Sequence, residues 1–114
     1  LFINYIKYHE NIVKNINHKI HNELNKNKKV YLFGAHIFSQ TLLNMGIDHK
    51  RIECILDNDK TKQNKRLYGT ILKVQSPNIL KKEKLPLIIL KCGVYNSEIK
   101  NQILKTINSK AAFL

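Results

Sequence analysis

A chain of 114 residues with 43% hydrophobic side chains has enough apolar material for one domain around a single core of two or three layers. Its 20 basic against 8 acidic residues give a formal net charge of +12. Only Arg51 and Arg66 are arginines, however, and the lysines are dispersed among Ile and Asn, so a solvated basic surface is expected and nucleic acid is not an expected partner.

In chain order, Phe2, Ile6, Val13, Ile16, Ile20 and Leu24 repeat at helical spacing and predict one long amphipathic helix over residues 2–26, running into the polar stretch Asn25-Lys26-Asn27-Lys28. Val30 to Phe33 reads as a short buried strand that stops at Gly34. Ile37, Phe38, Leu42 and Met45 then predict a helix, closed by Gly46. Ile52 to Leu56 is a second strand ending in Asp57-Asn58-Asp59, and a polar loop leads to Tyr68-Gly69. Thr70 to Val74 reads as a third strand. Ser76-Pro77 opens a short helix, serine as cap and proline at the first helical position. Leu87 to Leu90 is the most apolar strand, residues 97–108 are helical again, and Ala111 to Leu114 begins a last strand.

Short, continuously apolar strands alternating with amphipathic helices imply a mostly parallel sheet covered on both faces. The fold class is therefore α/β, a Rossmann-like three-layer fold preceded by one long N-terminal helix: residues 1–28 form the leading helix and residues 29–114 the Rossmann-like domain. The chain opens on Leu1 rather than Met and closes in an apolar run, so it is expected to be a piece of a longer protein. Cys54 and Cys92 lie far apart in apolar runs and read as reduced, buried thiols of a cytoplasmic protein. No run of about 18 apolar residues predicts a membrane span.

In such a sheet, ligands bind beyond the carboxyl ends of the strands, where the strand order reverses. Three segments converge there: Gly34-Ala35-His36, Asp57-Asn58-Asp59 and Cys92 to Asn96. Gly34 supplies the tight turn, but His36 and Ser39 stand where a dinucleotide fingerprint has its second and third glycines. A side chain at the second position obstructs a pyrophosphate. The helix start still offers N–H groups to one phosphate or carboxylate, with His36 or Ser39 as a further donor; the alternative is a turn kept only for the fold. Asp57 falls about 20 residues after Gly34, the offset at which an acidic residue meets ribose hydroxyls. Asp57-Asn58-Asp59 suits the vicinal diol of a ribose or sugar, or is plain turn chemistry. Tyr95 is placed to stack on a base or sugar, and Asn96 to cap the last helix. His9, His18 and His21 read as surface histidines, no metal site is expected, and no nucleophile has a base beside it, so no catalytic residue is assigned.

The stretches Gly34-Ala35, Leu42-Leu43-Asn44, Gly46-Ile47, Ile55-Leu56-Asp57-Asn58-Asp59, Lys62-Gln63-Asn64-Lys65 and Leu67-Tyr68-Gly69-Thr70, on to Pro77, resemble the C-terminal Rossmann-like domain of sugar C-methyltransferases. The likeness covers about residues 28–108. It implies a domain that recognises a nucleotide-linked sugar in polysaccharide or surface-glycan (capsule) biosynthesis in bacteria. It also implies an upstream methyltransferase domain of the same chain that holds S-adenosylmethionine, with no cofactor in this piece. By resemblance, Gly34, Ala35, Asp57, Asn58, Lys65 and Gly69 are the binding positions, to which the residue reading adds His36, Ser39, Asp59 and Tyr95. Where such domains often continue Gly-Ala with Pro-Ala-Lys, this chain has His36-Ile37-Phe38. Two alternatives are a non-catalytic assembly domain and the nucleotide-sugar pocket of a sugar acyltransferase, which shares the sheet and the acidic turn.

Overall fold

The structure, a computed structural model, describes residues 2–24 and 28–114. Leu1 and the expected last helical residues, Asn25 and Lys26, lie outside the described residues, as do the side chains of Phe2, Leu24, Ile37 and Phe38. Helix α1 runs Phe2–Leu24, and a five-stranded sheet follows: β1 Val30–Phe33, β2 Ile52–Leu56, β3 Val74–Gln75, β4 Leu87–Leu90 and β5 Ala112–Phe113. All four strand pairings are parallel, in the order β3-β2-β1-β4-β5. Helix α2, Ile37–Asn44, follows β1. A 3-10 helix over Pro77–Lys82 precedes β4, and α3, Asn96–Gln102, widens into a π turn over Ile103–Ile107 before β5. The expected α/β, Rossmann-like architecture is what the chain forms.

The period of two along a strand sorts the core into two layers. Val30 and Leu32 face one cluster with Leu42, Leu43 and the α1 residues Val13, Ile16 and Ile20. Tyr31 and Phe33 face the other, with Leu80 and Ile103. In β2 the register shifts between its pairings with Val30 and Leu32, so that Ile52 and Ile55 share the first layer despite their odd spacing. Glu53, the residue this bulge accommodates, stays exposed.

Four expectations change. Cys54 is buried as expected, but Cys92 is only half-buried, because it stands past the end of β4 rather than within it. The third strand is Val74–Gln75 rather than Thr70 to Val74, because Thr70 closes a turn: its hydroxyl donates to the Leu67 carbonyl at 2.9 Å and accepts from the Leu72 amide at 3.1 Å. His9 is not a surface histidine. It continues the buried series Val13, Ile16, Ile20 toward the N-terminus, with Nδ1 donating to the Tyr5 carbonyl at 2.8 Å and its ring against Tyr5 and Tyr8. Asn96 does not cap α3, which starts at Asn96 itself with Tyr95 in the cap position. Among the described residues no helix is long and apolar enough to cross a membrane.

Asn17 ties α1 to the loop after α2. Its Nδ2 donates to the Gly46 carbonyl at 2.8 Å, and its Oδ1 accepts from the Asp48 amide at 3.1 Å. Asn17→Ala is expected to lower stability by about 1–2 kcal/mol, two net hydrogen bonds, measured by urea unfolding of the purified chain.

Candidate functional site

β1, β2 and β3 succeed one another to one side and β4 and β5 lie to the other, so the strand order reverses between β1 and β4. At the carboxyl ends of those two strands lies an open cleft of about 820 Å³, whose walls include Gly34, His36, Asp57, Asn58, Cys92 and Tyr95. That volume accommodates a ligand of nucleotide size.

The turn after β1 is built around His36. Its backbone is extended and its Nδ1 accepts from the Ser39 amide at 3.3 Å, so the imidazole itself caps α2. The ring folds back over Gly34: a Cβ at that position would stand 2.2 Å from His36 Nε2, and Gly34 has φ +109. Nε2 lies 3.7 Å from Cys92 Sγ, and the Cys92 thiol donates to the Phe33 carbonyl at 3.5 Å. One tautomer satisfies the whole network, with Nδ1 accepting and Nε2 carrying the proton. The charges agree. Burial holds the imidazole below its ordinary pKa, with Asp57 opposing and Lys62 adding to the effect. Burial pushes the Cys92 thiol up, and Asp57 pushes the same way. A neutral imidazole beside a neutral thiol is not an activated nucleophile.

Asp57 pins two turns together. Its Oδ2 accepts from the Ala35 amide at 2.9 Å and its Oδ1 from the Asp59 amide at 2.8 Å. Its carbonyl accepts from Gln63 Nε2 at 2.8 Å, and Lys62 Nζ donates to the Ala35 carbonyl at 3.0 Å, so the loop after β2 is laced to the turn after β1. On the far side of that loop, Asn58 and Gln102 exchange reciprocal hydrogen bonds at 2.9 and 3.1 Å. Gln102, Glu98 and Ile99 bring one side of α3 to the cleft, and Lys62 and Lys91 bring cations.

The expected site residues thus divide. Gly34, His36, Asp57, Asn58 and Tyr95 line the cleft, Tyr95 on its rim and 62% exposed. Ala35 lies buried beside it and serves through its backbone, and Ser39 is buried and off the cleft wall. Asp59 faces solvent, and its Oδ1 accepts from both the amide and the hydroxyl of Thr61, bonds that hold its carboxyl below the usual range. Gly69 lies on a separate shallow depression with His49 and Arg66, and Lys65 is exposed and absent from the cleft wall. Asn96 Oδ1 accepts from the Cys92 amide at 2.7 Å, closing the loop after β4 rather than capping α3. The residue reading missed Lys62, Lys91, Glu98 and Gln102. Lys91 had a signal, since it directly follows the strand at the reversal point; Glu98 and Gln102 had a weaker one, their spacing of one helical turn. Among the described residues no group of three or more His, Cys, Asp or Glu side chains is arranged to hold a metal ion.

Comparison with known families matches residues 1–114 to the family described as the C-methyltransferase C-terminal domain. No curated protein and no solved structure matches the chain.

Proposed function

The chain belongs to the family of C-methyltransferase C-terminal domains, and from that premise we propose that it recognises a nucleotide-linked sugar for a methyl transfer completed by an upstream domain of the same polypeptide, in the cytoplasmic synthesis of a bacterial polysaccharide or surface glycan. The observation that carries this reading is the mixed chemistry of one cleft. Lys62 and Lys91 offer positive charge, Tyr95 an exposed ring, and Asn58, Gln102 and Glu98 polar groups for hydroxyls. A ligand that joins phosphate, aromatic base and polyol uses all three.

Each side chain then has a task. The lysine ammonium groups hold the phosphates, which approach them rather than the α2 N-terminus, because His36 already satisfies the Ser39 amide there. Tyr95 covers a flat base or the apolar face of a sugar. The turn itself does not fit S-adenosylmethionine: the His36 ring occupies the space above Gly34 through which an adenosine-carrying cofactor approaches the backbone. We therefore assign the methyl donor to the upstream domain.

The test is a titration of the chain with UDP-glucose and with uridine diphosphate, followed by amide NMR. Shifts are expected at Gly34, Asp57 and Cys92 to Tyr95. Lys91→Ala is expected to weaken binding about 10-fold, the loss of one charge-assisted contact, while unfolding stays within about 1 kcal/mol of the parent. If neither ligand moves those amides at millimolar concentration, the reading fails.

A further inference from the structure

We infer that the vicinal hydroxyl pair of the ligand is read by the Asn58–Gln102 amide pair and not by Asp57; the inference rests on the nucleotide-sugar reading above. Asp57 stands at the offset expected of a diol-binding carboxylate, but both of its oxygens are engaged by the Ala35 and Asp59 amides. Those bonds hold the two turns in place and take one lone pair of each oxygen, and a carboxylate has no donor to set beside the acceptors that remain.

The amide pair has what Asp57 lacks. Asn58 Nδ2 donates to Gln102 Oε1, and Gln102 Nε2 donates to Asn58 Oδ1, across 44 residues of sequence. A primary amide has two N–H donors and two acceptor lone pairs. A reciprocal pair consumes one of each per partner. On either edge of the resulting hydrogen-bonded ring, the spare N–H of one amide falls on the same side as the spare lone pair of the other. A vicinal diol complements that edge: one hydroxyl accepts from the N–H while its neighbour donates to the oxygen. The pairing is self-consistent, because exchanging O and N in both amides together leaves the same edges. Both side chains belong to the cleft wall. The pair also joins the loop after β2 to the end of α3, so a ligand bound on its edge touches two elements whose spacing is already set.

Two diols carry this chemistry, that of a ribose and that of a hexose, and calorimetry on the whole chain separates them. Uridine diphosphate against 2′-deoxyuridine diphosphate tests the ribose; UDP-glucose against UDP-3-deoxyglucose, which has no adjacent hydroxyls on its hexose, tests the sugar. In the parent chain the diol-bearing member of one pair is expected to bind about 10-fold more tightly than its deoxy partner. In Gln102→Leu, and independently in the exposed-site variant Asn58→Ala, that ratio is expected to fall to about one. Equal binding within both pairs in the parent chain overturns the inference but leaves the nucleotide-sugar reading standing. A preference that survives in both variants also overturns it. Failure of all four probes to bind the parent chain overturns the nucleotide-sugar reading and this inference with it.

Discussion

Replacing Gly34 by alanine is expected to cost about 3 kcal/mol of folding stability, from two sources. The φ of +109 is open to glycine and strained for any side chain, and holding alanine there costs about 1–3 kcal/mol. The new methyl group also claims the space of the His36 ring, whose Nε2 stands 2.2 Å from the Cβ position. The ring sits at the end of a side chain and swings out, and it then loses the Ser39 amide and the Cys92 contact. Loss of such a cap costs about 1 kcal/mol. A double-mutant cycle separates the two. His36→Ala alone removes the cap, so adding Gly34→Ala to it exposes only the backbone strain. Urea unfolding of the four proteins is expected to show the double variant less destabilised than the sum by about 1 kcal/mol. Strict additivity would show that Gly34 is not kept free of a side chain for the imidazole.

The same turn marks how far the residues alone carry the argument. The alternation of apolar strands with amphipathic helices was enough for a mostly parallel sheet, because the central strands β1 and β4 are buried on both faces and their local pattern agrees with the global one. The convergence of Gly34, Asp57 and the loop after Leu90 followed from topology without knowledge of any side chain. The direction of His36 did not follow, since nothing in Gly34-Ala35-His36 tells whether the ring points outward to a ligand or back over the glycine. The choice is made by the extended backbone at His36 and by a thiol 56 residues away. Periodicity did contain His9, which stands four residues before Val13 and seven before Ile16 on the buried stripe; polar identity obscured it.

Lys62 and Lys65 show the same limit within one loop. Both lie in the stretch that resembles the family, and either is a reasonable cation for a phosphate. Between them, Asn64 takes a φ of 66, a left-handed conformation that asparagine tolerates better than most residues. The backbone beyond it joins β3, with the Asn64 amide donating to the Val74 carbonyl at 2.8 Å and the Val74 amide to the Lys65 carbonyl at 2.7 Å. This commits Lys65 to the sheet edge and leaves Lys62 to reach back to Ala35 and the cleft. One positive φ decides which lysine faces the candidate site, and the amide pair across 44 residues is still further from local sequence.

Asp57→Ala is expected to lower stability by about 2–3 kcal/mol, and that loss decides how any effect on binding is interpreted. Ala35 is buried, so deleting the carboxylate leaves its amide without an acceptor and with little access to water, at about 1–3 kcal/mol. The Asp59 amide is exposed and recovers a water, so its loss adds less. Asp57→Asn is expected to regain about half, since one amide oxygen reaches the Ala35 N–H while the new NH₂ group opposes the Asp59 N–H. Thermal and urea unfolding of both variants measure this directly. The comparison with Lys91→Ala then separates support from contact: Lys91→Ala is expected to lose affinity at nearly parental stability, whereas Asp57→Ala loses both together because the cleft floor moves. If Asp57→Ala instead unfolds like the parent and loses only affinity, the carboxylate is a ligand contact. The pinning role would then be wrong, and the diol would belong to Asp57 after all.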